Sequence, residues 1–328
     1  MRTYTTYRTN IANFCNVTIS DTTEMTKITT NMNDSIRTIC NLQGGKLRFL
    51  ESTHNMYTVA NQETYQIPNK YRKLMDMYIY DGVGSSTDTI YAPRMVFDPT
   101  MWKRVLQSHL GTQQVPYFTY VENRTFKIQP IPSTTGNLIV LRGRLNTRDL
   151  SIADYTTGNI VSIANDGTAV VGSGTTWTAD MVGRYIQITE TTAANGGDGF
   201  WYEIGGWTDA THITLTKPYE GTSISAGSAT YTIGQCAVIP EAYDVAVVYR
   251  ATALYWQNQN DLVRSKTYWM LYDGGNEAGY SKEYGGIISQ MLANEGETEE
   301  SAYIPPYSDG SNVVGRNYYY PWQLASGF

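Results

Sequence analysis

The apolar positions near the start of the chain follow a helical spacing. Asp21 precedes Glu24 by three residues, which is the spacing of a helix-capping box. Apolar residues then recur at steps of three and four until Gly44. They are Met25, Ile28, Met32, Ile36 and Ile39. The pattern predicts a long amphipathic helix whose apolar face packs against another part of the chain.

Similar helical patterns occur in the last third of the chain and once about a third of the way along it. Pro240-Glu241 opens a helix, and its expected inward residues are Val245, Val248, Ala251, Leu254 and Tyr255. Asp261 caps a further helix, which Gly274-Gly275 and Gly285-Gly286 are expected to kink or break. Asp98 followed by Pro99 predicts a capped helix that ends at Gly111. Residues 1–20 show no clear period and are interpreted as an arm.

Between these helices the chain has short extended segments. The predicted strands are residues 46–50, 57–60, 64–67, 73–80, 117–121, 125–129 and 138–144. Asn123 joins two of them as a hairpin. We therefore expect an α+β fold, with a helical bundle, attached β-strands and extended terminal arms.

A stretch rich in Gly and Thr, residues 151–234, interrupts this α+β pattern. It predicts about six short strands, at residues 160–164, 168–171, 185–189, 201–206, 213–216 and 230–233. Asn165-Asp166-Gly167 is a tight hairpin signal between the first two strands. Short strands with glycine-rich turns are typical of a small antiparallel sandwich or barrel. We therefore expect an all-β insert that folds by itself.

Charge is segregated in the same way as the strand pattern. The insert has two basic residues against eight acidic ones, a net charge of −6, while the remaining 22 basic and 22 acidic residues balance. The acidic residues of the insert are Asp154, Asp166, Asp180, Glu190, Asp198, Glu203, Asp209 and Glu220. This break predicts a discontinuous domain made of residues 1–150 and 235–300, an acidic β insert at 151–234, and a C-terminal arm at 301–328.

The C-terminal arm is rich in aromatic residues and broken by Pro305, Pro306 and Pro321. Prolines hold a segment extended, which lowers the entropy lost when it docks. Its aromatic side chains are the predicted partner interface: Tyr303, Tyr307, Tyr318, Tyr319, Tyr320, Trp322 and Phe328. We expect this arm to dock on another subunit, with folding back on its own chain as the alternative.

The sequence carries few residues that could support catalysis. His54, His109 and His212 lie in separate segments, and the three cysteines form no CxxC pair. We therefore predict no enzyme activity, no catalytic residue, no metal site and no cofactor. The acids of the insert could form a glycosidase pair, although their spread along the strands is typical of surface charge. Trp177, Trp201 and Trp207 could form a sugar-stacking platform, although tryptophans in a small β module more often form its core.

Composition points towards a protein whose surface is covered by partners. Only 16% of residues are charged, and 27 tyrosines accompany 7 tryptophans and 7 phenylalanines. A net charge of −6 argues against a nucleic-acid binder, but it suits a channel through which DNA slides. The odd cysteine count suits a reducing compartment, and no apolar run is long enough for a signal core or a membrane span. We expect a soluble protein made in the cytoplasm.

Five stretches on either side of the insert carry a family resemblance. They read NMNDSIRTI at 31–39, LRFL at 47–50, ETYQIPNKYRKL at 63–74, IPEAY at 239–243 and VYRA at 248–251. Together they resemble the adaptor, or head-completion, proteins of the head–tail connector in tailed bacteriophages. The insert, with GSGTTW at 172–177 and MVGRYI at 181–186, resembles β modules of phage structural proteins. The resemblance covers most of the chain, although the insert and the aromatic tail depart from simple adaptors.

The resemblance implies a structural subunit in the neck of a virion, made in the host cytoplasm. Its implied partners are further copies in a ring, commonly of twelve, the portal protein, and a downstream neck or tail protein. DNA would pass through the lumen without specific binding, and no membrane is involved. The alternative is a tail-fibre or baseplate protein whose insert binds cell-surface sugar, and a third hypothesis is a carbohydrate-active enzyme.

Overall fold

Six helices and four sheets make up the described part of the computed structural model, which covers residues 1–81, 89–107, 112–113, 118–189, 197–275 and 285–295. All of these residues belong to one unit, Met1–Gly296. The helices are α1 (Tyr4–Cys15), α2 (Thr22–Asn41), α3 (Pro99–Gln107), α4 (Val245–Asn258), α5 (Leu262–Asp273) and α6 (Ile287–Glu295). The predicted α+β class is thereby confirmed.

Helix α4 lies at the centre of the helical part, in contact with α1, α2 and α5. It is buried on nearly every side, as expected for a helix that is apolar around most of its circumference. The apolar face predicted for α2 is confirmed, since each of its five residues is at most 2% exposed. These residues share one hydrophobic cluster with α4. Asp21 caps α2 by accepting hydrogen bonds from the backbone N–H groups of Thr23 and Glu24.

The expectation of an arm at the start of the chain is wrong, because residues 4–15 form α1. Thr3 caps this helix by accepting a hydrogen bond from the N–H of Thr6. Its buried residues recur at helical spacing and join the cluster around α4: Tyr4, Tyr7, Ile11, Ala12 and Cys15. Tyrosine and cysteine make this face only weakly apolar, so its period is hard to detect from sequence.

The helix break predicted late in the chain is confirmed. Asp261 caps α5, and Gly274 ends it in the left-handed conformation. Gly286 precedes α6, and a β-carbon there would lie 2.3 Å from the carbonyl oxygen of Tyr272. This close approach of two backbone segments requires glycine.

The part of the sequence between α2 and the insert forms two four-stranded sheets and one two-stranded sheet. The first sheet has the order β1 (Glu51–Tyr57), β10 (Leu138–Leu145), β3 (Tyr71–Asp81), β4 (Thr89–Tyr91). The second has the order β2 (Thr64–Gln66), β8 (Thr125–Gln129), β7 (Phe118–Glu122), β5 (Arg94–Val96). The two-stranded sheet pairs β6 (Thr112–Gln113) with β9 (Ile131–Pro132).

Most strands predicted in this region are confirmed, but two are wrong. The strand predicted at residues 57–60 lies earlier in the chain, at Glu51–Tyr57, and residues 58–60 leave the sheet in a turn. The strand predicted at residues 46–50 does not form. Arg48–Leu50 forms a turn of 3-10 helix instead. Leu47 and Leu50, three residues apart, are both buried in the helical cluster. A helical turn places both side chains on one face, whereas the alternation of a strand would separate them.

The β insert contains seven strands, one more than predicted. Their order is β16 (Ile224–Ala229), β11 (Asn159–Ile163), β12 (Ala169–Ser173), β15 (His212–Leu215), β14 (Trp201–Asp209), β13 (Tyr185–Ile188), β17 (Tyr231–Gly234), and every neighbouring pair is antiparallel. The hairpin between β11 and β12 is confirmed, with Asp166 at a φ of 58°. The insert has its own hydrophobic cluster, in which every residue lies between Tyr155 and Ile233.

Candidate functional site

Side chains of the α+β part make hydrogen bonds at the two points where the chain enters and leaves the insert. The amide of Asn33 on α2 bonds the backbone of Leu150 twice, donating to the carbonyl at 3.1 Å and accepting from the N–H at 2.9 Å. The side-chain oxygen of Gln235 accepts from the N–H groups of Ser151 and Ile152. The root of the insert is therefore fixed by paired hydrogen bonds.

The segment before α1 completes this root. The hydroxyl of Thr3 donates a 2.6 Å hydrogen bond to Asp154, and the N–H of Tyr4 donates to the carbonyl of Gln235. Burial raises the pKa of Asp154 above its ordinary value, and hydrogen bonds from Thr3 and Thr5 only partly oppose this shift. The root thus contains a half-buried carboxyl group that is costly to ionise.

An open groove of about 1040 Å³ lies between the first sheet and the insert. Residues 52–55 of β1 line one wall together with Lys70 and Arg142. Phe200 and Trp201 line the other wall with Glu203. Phe200 is 66% exposed, which is unusual for so large an apolar side chain. The groove therefore combines an aromatic wall with polar and charged groups.

Both walls of this groove carry charges of both signs. Arg142 makes a 2.5 Å ion pair with Glu51 on the sheet side, and Lys217 lies with Glu203 and Glu220 on the insert side. Burial lowers the pKa of His54, and the nearby Lys70 lowers it further, so this imidazole is neutral at neutral pH. The groove could bind an extended ligand with aromatic groups.

Exposed apolar side chains also occur on two helices of the helical part, and we call this set the α1–α5 face. It consists of Phe14 on α1 and of Leu262, Val263, Leu271 and the half-buried Tyr268 on α5. Val263 is 80% exposed, Leu262 62%, and Phe14 and Leu271 46% each. The rings of Phe14 and Tyr268 lie 5.8 Å apart, so the two helices meet there. Large apolar side chains left exposed can mark a site of protein contact.

The predicted interface in the tail, from Tyr303 to Phe328, lies outside the described residues.

The three tryptophans of the insert differ in burial, so they fit neither the core nor the sugar-stacking interpretation as a group. Trp177 is a core residue, 2% exposed, whose ring N–H donates to the hydroxyl of Tyr231 at 2.9 Å. Trp201 is half-buried in the groove wall, and Trp207 is 41% exposed. No platform of all three is formed.

The histidine in the insert makes contacts that resemble a catalytic arrangement only superficially. The Nδ1 atom of His212 lies 2.9 Å from a carboxylate oxygen of Asp209 and 3.0 Å from the hydroxyl of Thr211. Both contacts use the same ring nitrogen, so the imidazole cannot relay a proton between these two groups. Hydrogen bonds from His212 and Thr211 lower the pKa of Asp209 to about 2. The arrangement stabilises an exposed turn.

Other candidate chemistry has little support in the described part of the chain. Among these residues, no group of three His, Cys, Asp or Glu side chains is placed to hold a metal ion. The three cysteines are free, and burial raises the pKa of each thiol to about 12, which leaves it protonated and unreactive. None of the described helices is long and apolar enough to cross a membrane.

Sequence reasoning missed both the groove and the α1–α5 face. One signal for the face was available, because Leu262 and Val263 follow the capping Asp261 directly. Apolar residues in the first turn of a helix that lie outside its buried face indicate a surface that another protein covers. The groove gave no such signal, since its two walls come from segments far apart in sequence.

The chain matches a model of a known protein family. The family model described as SU10 adaptor protein matches residues 2–302, which is most of the chain. No curated protein matches the chain. An adaptor family points to a phage structural protein, a component of the virion with phage structural proteins as partners, and it implies a non-enzymatic role. On the strength of this match, the chain belongs to the SU10 adaptor protein family.

Proposed function

We propose that this protein is a structural subunit of a bacteriophage neck, where it forms an oligomeric ring between the portal and the tail. The observation that carries the proposal is the match to an adaptor family over residues 2–302. The α1–α5 face supports it, because a ring subunit needs an apolar surface that only a neighbour covers. In a closed ring, each copy uses one patch to contact a different patch on the next copy.

The ring that we propose has twelve copies, binds the portal protein on one side and a downstream neck or tail protein on the other, and lets DNA pass through its lumen. The chain has a net charge of −6, with 30 acidic and 24 basic residues. Such a balance suits a channel wall that does not retain the phosphate backbone. The subunit would be made in the host cytoplasm and would need neither a cofactor nor a membrane.

The proposed division of the subunit follows the charge and strand patterns. Residues 1–150 and 235–300 form a discontinuous domain with a helical bundle, and residues 151–234 form the acidic insert. A hydrophobic cluster confined to the insert supports this division, and so does the cluster around α4, which joins residues from both sides of the insert. Residues 301–328 form an aromatic arm, and its seven aromatic residues contact another subunit.

Mass measurement of the purified protein, alone and with portal protein, tests the proposed function. We expect a species of about twelve copies that binds portal rings, and density for it at the neck in electron micrographs of the particle. A protein that stays monomeric with portal protein present, or that localises away from the neck, would contradict the proposal.

A second candidate function is that of a tail-fibre or baseplate protein whose insert binds cell-surface sugar. The exposed Phe200 beside Trp201 favours it, since aromatic faces stack on sugar rings and Glu203 could accept hydrogen bonds from hydroxyl groups. Fibre proteins are usually trimers, so the same mass measurement separates the two functions. Binding to a panel of glycans, lost on Phe200→Ala, would favour this candidate.

A further inference from the structure

Strand β1 is an edge strand that borders the groove. Among the described strands it pairs only with β10, so its other side presents N–H and C=O groups to the groove. Its sequence, ESTHNMY, contains no proline or lysine, the residues that commonly prevent further pairing at a sheet edge. The edge is therefore competent to accept one more strand.

The opposite wall of the groove offers contacts for the side chains of such a strand. A peptide that adds to a sheet edge gains affinity from backbone hydrogen bonds and specificity from pockets for alternate side chains. Phe200 is 66% exposed and lies next to Trp201, so this wall presents aromatic surface. Three basic and three acidic side chains also line the groove, so its charges balance and its aromatic surface decides which occupant it favours.

One segment of this chain has the matching chemistry. Residues 301–328 carry seven aromatic side chains spaced by prolines. Aromatic pairs across a groove add to the energy of simple apolar burial.

The end of α6 lies near one mouth of the groove. The amide of Asn294 donates a 2.7 Å hydrogen bond to the hydroxyl of Tyr243. Glu241, two residues before, lies 2.9 Å from the backbone nitrogen of Met1, which lines the groove. Residues 296–300 can span at most about 17 Å when fully extended. The described part of the chain therefore ends in a helix whose contacts lead to Met1 at the border of the groove.

We propose that the groove receives residues 301–328 of a second copy of this chain, added along β1 with their aromatic rings against Phe200 and Trp201. The choice of a second copy as donor rests on the proposed ring. In that ring the groove of each subunit holds the arm of its neighbour, so the contact links consecutive copies by backbone hydrogen bonds as well as by apolar surface.

Photo-crosslinking of the full-length protein tests the proposal. A photoreactive benzoylphenylalanine replaces Phe200, and a matched variant carries it at Phe97, which is 64% exposed and lies outside the groove. After irradiation of the assembled protein, we expect the Phe200 variant to give a two-chain product joined to a peptide within 301–328. The Phe97 variant should give at least tenfold less of this product.

A second set of variants tests the aromatic contact without altering the groove. Replacing Tyr318, Tyr319 and Tyr320 by serine in the Phe200 variant should lower the yield at least tenfold, whereas replacement by phenylalanine should preserve it. An equal yield with serine would overturn the proposal.

The outcomes separate this inference from the proposed function. Rings that form normally while Phe200 crosslinks to some other segment, or to none, overturn the inference and leave the function intact. A product within a single chain overturns the choice of donor. A protein that never forms rings contradicts the proposed function, whatever its crosslinks show.

Discussion

Arg250 lies inside the helical cluster, with only 5% of the residue exposed. Its guanidinium donates to Asp34 at 2.7 Å and lies 5.9 Å from the ring of Trp269. The contact joins α2, α4 and α5, and its two charged residues come from two of the stretches that carry the resemblance to phage adaptors, 31–39 and 248–251. A buried arginine needs such partners, because an uncompensated charge in a protein interior is costly.

We predict that Asp34→Asn lowers the free energy of unfolding by about 2 kcal/mol, less than for a fully buried pair because the Asp34 side chain is 53% exposed. Urea denaturation would measure this change. The matched control is Asp149→Asn, which breaks the exposed pair with Arg37 and should cost at most about 1 kcal/mol. If both variants lose the same free energy of unfolding, burial of Arg250 does not strengthen its interaction with Asp34.

Asp154 at the root of the insert gives a prediction about pH. Burial raises its pKa in the folded protein, so this residue contributes stability at low pH that is lost as the pH rises through the raised pKa. Asp154→Asn removes the ionisation and keeps an oxygen that can accept from Thr3. We expect the variant to be more stable than the wild type at neutral pH, and the difference to shrink as the pH falls through the acid range.

Urea titrations at several pH values would measure this difference. Asp166→Asn serves as the control, because Asp166 is exposed in a turn and asparagine tolerates its left-handed backbone. A wild type that is more stable than Asp154→Asn at neutral pH would contradict the assigned cost of ionisation.

At the scale of elements, the sequence predicted those with a strong local signal. Helix α2 has a capping box and a regular apolar face, and β8 alternates between buried and half-buried residues. The sequence did not predict α1, whose buried face relies on Tyr4, Tyr7 and Cys15. Strand β16 was also missed, because its sequence, ISAGSA, consists mostly of small residues with weak strand preference. Tertiary packing specifies such elements.

The α1–α5 face gives a prediction at this scale. Val263→Glu with Leu271→Glu should change the free energy of unfolding by at most about 0.5 kcal/mol per site, because both side chains are exposed. If neighbours cover this face, two buried glutamates should weaken ring assembly at least tenfold. Analytical ultracentrifugation would measure assembly, and urea denaturation would measure folding.

The control for this variant places the same two charges elsewhere on the helical part. Thr26→Glu with Thr30→Glu lies on the exposed side of α2 and should leave assembly unchanged. Normal assembly of the α5 variant would show that its face stays open in the ring.

At the scale of the whole molecule, the sequence predicts a separate β insert but no surface beside it. The acidic segment has a hydrophobic cluster of its own, and its independence as a module stays a prediction. The groove brings residues 52–55 to Phe200 and Trp201. No periodic pattern relates segments so distant in sequence, because their contact follows from how the root of the insert is fixed. Asn33 and Gln235 form that root, and neither residue type signals such a role in advance.

The last prediction concerns the independence of the insert. Residues 151–234 expressed alone should give a soluble, cooperatively unfolding β protein, because a bridge between Tyr155 and Ile233 closes the module. Trp177→Ala in this fragment should cost about 3–5 kcal/mol by opening a cavity in its core. Trp207→Ala, at an exposed position, is the matched control and should cost much less. If the fragment is unfolded while the full chain is folded, the insert needs its contacts with Asn33, Thr3 and Gln235 in order to fold.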